Sequence, residues 1–221
     1  MDDSKLSEKL YQKFKYDILT FKLKPGEEVS TRKISDLYGG SRTPAREAIV
    51  RLKQEDLLIV RPKSGTVISP ISVERVRQER FVRAALECAA VDDFIMYCSP
   101  FIIRMMDEVN ALMDRSYNRK DYFKALKADM RFHKIILETS RNPLAYEVSI
   151  EHCSHDLRMR YLSISMGNQN ETVEEDHGKM IEAASRGDIS GLKQLTEKHL
   201  GRWKEVIAQL QSICPESYFT E

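Results

Sequence analysis

The sequence predicts a mostly α-helical fold, with an N-terminal winged helix-turn-helix followed by an all-helical bundle of about six helices. Apolar residues recur at the three- and four-residue spacing of helices along almost the whole chain of 221 residues. Two short β-prone runs joined by a glycine-containing turn interrupt this pattern before residue 72. These observations divide the chain into predicted domains at residues 1–72 and 73–221.

The first two helices are bounded by turn signals. An apolar stripe over residues 5–22 stops at Pro25-Gly26, a dipeptide typical of turns. Ser30 is suited to cap a second, short helix, because its hydroxyl can accept a hydrogen bond from a free backbone N–H. Gly39-Gly40 is expected to end that helix.

A third helix and a hairpin complete the N-terminal domain. Thr43 is suited to cap this helix, with Pro44 at its first position, where a missing N–H costs nothing. The runs 57–61 and 66–70 then form a predicted β-hairpin, and Gly65 provides a residue that tolerates positive φ. Helix, short helix, helix and hairpin is the order of a winged helix-turn-helix.

Everything after the segment 69–72 is predicted to be helical. Breaks are expected at five places, which divide residues 73–214 into about six helices, and the last seven residues are expected to be frayed. The breaks fall at residues 98–100, 117–118, 141–143, 167–170 and 187–188.

The composition excludes some classes of protein. A formal net charge of +1 gives no whole-chain indication of a nucleic-acid or membrane partner, but residues 1–72 hold 14 basic and 10 acidic side chains. No apolar run approaches the ~20 residues needed to cross a bilayer. The four cysteines show no CxxC spacing, and no signal-peptide pattern is present. We therefore expect a soluble, cytoplasmic protein with reduced thiols.

The third helix carries residues suited to reading DNA. Arg42, Thr43 and Arg46 lie at its start, the end that a recognition helix inserts into the major groove, and Lys63 lies at the hairpin tip. Arginine can donate two hydrogen bonds to guanine, and a threonine hydroxyl suits phosphate oxygens. Any one of these residues alone could belong to an ordinary solvated face, but together they favour DNA binding.

Four ionisable residues occupy apolar helix faces in the second half. Asp129 and His133 lie four residues apart on one such face, His177 on another and His199 on a third. Buried charges and imidazoles are costly unless they are paired or bind a metal. A single one could be a hydrogen-bonded core residue, but the set predicts convergence on a divalent transition metal. His152 and His155 flank an apolar stripe and are expected at the surface or in a groove, with a His-Cys-His metal cluster around residues 152–155 as the alternative.

The N-terminal half resembles the GntR family of bacterial transcription regulators. The motifs that carry this resemblance are Pro-Gly after the first helix, the segment SRTPAREA at 41–48, Arg51-Leu52 and the wing glycine. The resemblance assigns operator contacts to Arg32, Arg42 and Arg46 and a backbone contact to Thr43. It places the wing tip, Lys63 to Thr66 with Gly65 in it, in the minor groove. Asp56 replaces the glycine usual in this family, which indicates a slightly different turn.

Residues 73–214 resemble the FCD class of that family, whose effector domain is all-helical. The segments that carry this resemblance are VRAALE at 82–87, DMRFH at 129–133, DHGKMIEAASRGD at 176–188 and the last histidine, His199. The resemblance implies that Asp129, His133, His177 and His199 bind a metal, expected to be zinc, with nickel or manganese also suited. It further implies that Arg83 meets a carboxylate effector; a salt bridge to Glu79 or Glu87 is the alternative.

The combined interpretation is a homodimeric, cytoplasmic, ligand-responsive transcription regulator. It would bind a pseudo-palindromic double-stranded DNA operator, and a small organic acid or sugar acid near the metal would modulate that binding. No catalytic residue is predicted. Two alternatives stay open at this point, a metal-dependent hydrolase-like enzyme and a regulator that senses the metal itself.

Overall fold

The computed structural model describes residues 3–61, 65–151, 153–167 and 170–221, and helices dominate these ranges. The helices are α1 (Asp3–Leu19), α2 (Thr31–Tyr38), α3 (Arg42–Gln54), α4 (Val73–Tyr97), α5 (Pro100–Asn118), α6 (Tyr122–Thr139), α7 (Pro143–Glu151), α8 (Ser154–Ser165), α9 (Asn170–Ser185), α10 (Ile189–Gly201) and α11 (Trp203–Ile213). The strands are β1 (Glu28–Val29), β2 (Leu58–Arg61), β3 (Gly65–Ile68), β4 (Ile71–Ser72) and β5 (Phe219–Thr220).

The N-terminal part has the predicted winged helix-turn-helix arrangement. Helices α1 to α3 pack beside an antiparallel sheet of order β1-β3-β2, in which Leu58 pairs with Ile68 and Arg61 with Gly65. Gly65 has φ +92°, a left-handed conformation that glycine adopts without a steric penalty. Ser30 caps α2 as predicted, because its hydroxyl accepts a hydrogen bond from the backbone N–H of Lys33 at 3.1 Å.

The predicted start of the third helix was wrong by two residues. Helix α3 begins at Arg42, so Thr43 lies inside the first turn and Ser41 occupies the capping position. Gly39 and Gly40 both have positive φ, which reverses the chain early and lets the helix start sooner. Asp56, in the turn after α3, has φ +58° and so keeps the left-handed conformation that glycine favours there.

The helical part contains more helices than predicted. Within the described residues, eight helices follow Ser72, whereas the sequence predicted about six. Four of the five predicted breaks lie where expected, and the one predicted at 117–118 falls just after Asn118, where α5 ends. The two missed breaks fall at Cys153 and Arg202. No glycine or proline adjoins Cys153, and although Gly201 ends α10, Arg202 keeps helical dihedral angles. Periodicity alone does not reveal such a change of direction.

The C-terminal segment is ordered, so the prediction of a frayed tail was wrong. Strand β5 pairs in parallel with β4, and the ring of Tyr218 stacks on Phe21 with centroids 5.8 Å apart. Phe219 also packs against the apolar cluster that contains Ile71. Two aromatic side chains that find apolar partners account for the order of this segment.

Three apolar clusters form the core, and one of them joins the two halves of the chain. The first contains buried residues of α1, α2 and α3 together with Leu126 of α6 and Leu157 of α8. The second fills the space between α4, α5, α6, α9 and α10. In the part of the chain that the structure describes, no helix is long and apolar enough to cross a membrane.

Candidate functional site

The start of α3 presents polar and basic side chains to solvent. Arg42, Thr43 and Arg46 are all exposed there. Arg32, near the start of α2, keeps 83% of its side chain exposed, and its nearest approach to Asp36 is 3.8 Å. Such a surface ion pair contributes little stability, so Arg32 is available for another partner.

Arg51, on the same helix α3, has a structural role instead. Its guanidinium donates to Glu8 at 2.7 Å and stacks 3.5 Å above the ring of Tyr11. Gly65 is exposed at the start of β3, next to the wing tip. Lys63, the other wing residue named from the sequence, lies outside the described residues.

The structure brings Asp129, His133, His177 and His199 together. The four side chains come from α6, α9 and α10, all are buried, and they offer ligand atoms that lie within 4.8 Å of one another. The centroids of the three imidazole rings are 4.9 to 5.3 Å apart. A carboxylate and three imidazoles at this separation form a donor set suited to a divalent transition metal.

An oxygen from a neighbouring side chain faces the Nδ1 atom of each of these histidines. The partners are Glu87 of α4 for His133 at 2.6 Å, Asn110 of α5 for His177 at 3.2 Å and Asp176 for His199 at 3.4 Å. An acceptor at Nδ1 holds the proton there and leaves Nε2 with a free lone pair. Metal-binding histidines are commonly oriented in this way.

The Nε2 atoms provide a test of whether the residues fit a metal. Those of His133 and His177 are buried and have no hydrogen-bond partner among the described residues. A buried polar atom without a partner costs about 1–3 kcal/mol, and a metal ion would remove that cost. Two such atoms beside a buried carboxylate therefore fit metal binding better than a purely structural role.

The protonation of the three imidazoles also suits a metal. Burial lowers the pKa of His133 and of His177, and it lowers the pKa of His199 to about 4 although Asp176 opposes the shift. All three rings are therefore neutral at pH 7. Neutral imidazole is the form that donates a lone pair to a metal.

Arg83 makes the ion pair that the sequence left as an alternative. Its Nε donates to Glu87 Oε1 at 2.7 Å, and its Nη1 lies 3.8 Å from Asp156. Burial opposes the ionisation of Glu87, but His133 and Arg83 together lower its pKa, and Arg83 is always cationic. Glu87 is therefore an anion that contacts both Arg83 and His133.

Two further arginines complete the surroundings of the group. Arg160 of α8 donates to the carboxylate of Asp129. Arg202 makes two hydrogen bonds to Asp176, at 2.7 and 3.0 Å. The sequence patterns did not identify Asn110, Asp176 or Arg160, and they gave Glu87 only as an ion-pair partner of Arg83, one helical turn away.

A cavity of about 70 Å³ adjoins the metal-ligand candidates. Asp129 and His199 form part of its wall, together with Arg83 and Arg160. The other wall comes mainly from apolar side chains of α6, α8 and α11. A small molecule in this space would lie beside the four-residue group.

The prediction that His155 lies at the surface or in a groove was wrong. It is buried, and its Nδ1 accepts a hydrogen bond from the backbone N–H of Ser72 at 3.0 Å. Because α8 begins at Ser154, the side chain of His155 turns toward the segment between the two halves of the chain. His152 lies outside the described residues.

Comparison with known proteins identifies the family. Residues 6–68 match the family described as bacterial regulatory proteins, gntR family, and residues 80–202, more than half of the chain, match the FCD domain. The chain belongs to the GntR family. Within that family it is an FCD-domain transcription regulator.

Individual similar proteins support the assignment to this family. The HTH-type transcriptional repressor RspR of Escherichia coli K12 is 24% identical over 207 residues, which cover 93% of this chain and 90% of RspR. The structure of a GntR regulator from Rhodococcus sp. RHA1 superposes with a TM-score of 0.75 at 18% sequence identity. The match covers 95% of this chain and 99% of the Rhodococcus chain. The structure of Escherichia coli McbR/YncC superposes with a TM-score of 0.73 at 20% sequence identity. The match covers 92% of this chain and 97% of the McbR/YncC chain.

Membership in the GntR family determines the class of activity. The relatives are transcription regulators, so the chain is a DNA-binding regulator and not an enzyme. The hydrolase-like alternative is therefore excluded.

Proposed function

We propose that this GntR regulator is a homodimer whose operator affinity responds to a small carboxylate bound beside a metal. The observation that carries the proposal is the cavity bounded by Asp129 and His199. A site at that place is lined both by the metal-ligand candidates and by arginines. Asp129, His133, His177 and His199 would hold a divalent transition metal, with zinc expected and nickel or manganese also suited.

Charge balance supports an anionic effector. Arginines 80, 83, 160 and 202 line the cavity, and each contacts a carboxylate of Asp156, Glu87, Asp129 or Asp176. The three histidines are neutral, so the positive charges of the four arginines and the negative charges of the four carboxylates cancel. When bound, a divalent metal adds two positive charges to this balanced set. An anion such as a carboxylate would compensate them, and Arg83 is placed to contact it.

The DNA-reading surface supports a double-stranded operator as the partner. Arg42, Thr43 and Arg46 are exposed at the start of α3, where a recognition helix meets base edges. Arg32 and the wing around Gly65 and Lys63 would contact the flanking backbone and minor groove. Exposed apolar residues on α4 and at the start of α5, including Phe81, Met96 and Phe101, favour a dimer interface. A two-fold dimer reads a pseudo-palindrome.

Helix α8 offers a physical link between the effector cavity and the DNA-reading domain. Arg160 contacts Asp129 at the site, whereas Arg158 donates to the backbone oxygen of Pro70 at 3.4 Å and to Ser69 Oγ at 3.3 Å. His155, on the same helix, holds Ser72. A ligand that shifts α8 would therefore move the segment 69–72, and coupling of about 1–3 kcal/mol would change operator affinity several-fold or more.

The test is operator binding with metal and effector varied independently. An operator is selected from a random duplex library, and its affinity for metal-loaded protein is measured by fluorescence anisotropy with and without a panel of carboxylates. The proposal expects at least one carboxylate to change the affinity about fivefold or more. If chelation of the metal abolishes binding while no carboxylate has any effect, the protein senses the metal itself and the carboxylate proposal is wrong.

A further inference from the structure

The chemistry of the cavity wall narrows the class of effector, an inference that rests on the proposed function. Every charged residue of the described lining belongs to the network around the metal-ligand candidates. Arg80 contacts Asp156 at 2.5 Å, and Arg83 contacts Glu87 at 2.7 Å. The polar part of the cavity is therefore the wall that faces this network.

The rest of the described lining is almost entirely apolar. Ser163 is its uncharged polar residue, and the other side chains are hydrocarbon, thioether or indole. They include Leu126, Met159, Ile164, Val173, Trp203 and Val206. A ligand in this space meets the hydrogen-bonding groups of that network and, elsewhere, apolar surface.

This asymmetry discriminates between classes of carboxylic acid. Each hydroxyl of a sugar acid that is buried against apolar side chains without a partner costs about 1–3 kcal/mol. Each methylene buried there instead gains about 0.8 kcal/mol. A second carboxylate placed on the apolar wall would be still more costly, because it would be a buried charge without a partner.

The size of the cavity favours a short acyl chain. By a measure in which one water needs roughly 10–15 Å³, the cavity volume of about 70 Å³ holds a handful of non-hydrogen atoms. That is the size of a short fatty acid and is smaller than a six-carbon sugar acid.

We propose that the effector is a short aliphatic monocarboxylate whose carboxylate faces the metal-ligand candidates and Arg83 or Arg160. Its alkyl chain lies against the apolar wall formed by α6, α8 and α11. Sugar acids and dicarboxylates should bind more weakly, because the apolar part of the lining offers their hydroxyls or second carboxylate too few hydrogen-bond partners.

The experiment compares matched acids on the metal-loaded, full-length protein by isothermal titration calorimetry. Valerate and 4-hydroxybutyrate have the same length and differ by a terminal methyl or hydroxyl; glutarate and gluconate represent dicarboxylates and sugar acids. We expect valerate to bind at least tenfold more tightly than any of the other three. Equal or tighter binding of 4-hydroxybutyrate, glutarate or gluconate would overturn the inference and leave the carboxylate proposal standing.

A variant of the apolar wall adds a second measurement. Val206→Thr replaces a methyl by a hydroxyl with little change of shape, so it should weaken valerate and strengthen 4-hydroxybutyrate, each by several-fold. Val82→Thr, on the exposed side of α4, is the matched control and should leave both affinities unchanged. A Val206→Thr protein with wild-type affinities would contradict the placement of the alkyl chain. If no acid in the panel binds wild-type protein, the carboxylate proposal and this inference both fail.

Discussion

The carboxylate of Glu87 lies 2.6 Å from Nδ1 of His133, and its other oxygen accepts a hydrogen bond from Arg83 at 2.7 Å. One buried anion thus orients a metal-ligand candidate and holds an arginine of the effector cavity. Carboxylates in this position fix the imidazole ring and raise its affinity for a metal.

Glu87→Gln should therefore weaken metal binding about 10- to 100-fold. The amide keeps the shape of the side chain but loses its charge, so His133 is a poorer donor. Affinity is measured by competition with a chromophoric chelator. Glu138→Gln on the same helix as His133 removes an exposed carboxylate and serves as the control. Unchanged affinity in Glu87→Gln would show that Glu87 does not act through His133.

His177→Ala should lose the metal altogether. His177 is fully buried, and Asp129, the nearest carboxylate, lies 3.8 Å from its Nε2. Elemental analysis of the wild-type protein should find about one divalent transition metal per chain. His155→Asn, which removes a histidine outside the group, should keep full occupancy. A His177→Ala protein that still contains one metal per chain would contradict the ligand assignment.

Arg46→Ala should weaken operator binding by about 1–3 kcal/mol and relax the preference at one base position. Arg46 is exposed near the start of α3, where a guanidinium can reach a base edge. Lys53→Ala, an exposed cation at the other end of the same helix, is the control and should change neither property. Specificity is read from the selected sequences of each variant. Identical sequence preferences for Arg46→Ala and wild type would mean that Arg46 reads no base.

Sequence reasoning located the metal-ligand candidates because their signal is local. Asp129 and His133 share one helix face by spacing alone, and the other two histidines interrupt apolar stripes of their own helices. The residues that orient the three histidines were not predicted in that role. Glu87, Asn110 and Asp176 contact the histidines only across helix interfaces, and the periodicity of a single helix carries no information about such contacts. Asp176 also directly precedes His177, so spacing gave no reason to pair it with His199.

The C-terminal tail and His155 are two further places where local sequence patterns did not predict the structure. Seven residues without a helical pattern predicted fraying, but pairing of β5 with β4, about 150 positions earlier in the chain, supplies the order. His155 flanks a stripe and so looked exposed, yet the segment 69–72 packs over it. Both predictions failed because a distant segment covers the residue, and local patterns carry no information about such contacts.

Stability should fall in acid partly through His155. Burial, with the charges of Arg158 and Arg75, lowers the pKa of His155 to about 3. The unfolded imidazole takes up a proton below its ordinary pKa near 6.5 and the folded one does not, so the free energy of unfolding decreases as the pH falls from about 6.5 to 3. One such group contributes up to about 1.4 kcal/mol per pH unit.

His155→Asn should therefore show a shallower decrease over this pH range. The Asn oxygen replaces Nδ1 as the acceptor for the Ser72 N–H, so the hydrogen bond is kept while the titrating group is removed. Urea unfolding of metal-free protein at a series of pH values measures the slope. An unchanged slope would show that His155 is protonated in the folded state.

Arg158→Met should separate effector binding from its effect on DNA. Arg158 is fully buried; its Nη1 donates to Ser69 and Pro70, and its other two nitrogens have no hydrogen-bond partner within the described ranges. Methionine fills a similar volume without a charge, so the fold should be retained or become more stable. The contact between α8 and the segment 69–72 is then weakened, while Asp129 and the three histidines are untouched.

The expected result is a change in coupling without a change in either site. Metal affinity, and the affinity for valerate or for the acid in the panel that binds most tightly, should stay within about twofold of wild type, whereas the effector-induced change in operator affinity should shrink several-fold. Arg115→Met, an exposed arginine on α5, is the matched control and should keep full coupling. Because coupling is the ratio of the operator affinities with and without effector, a uniform loss of DNA binding cancels and would not imitate the effect. Full coupling in Arg158→Met would exclude this contact of α8 as the path between the cavity and the DNA-reading domain.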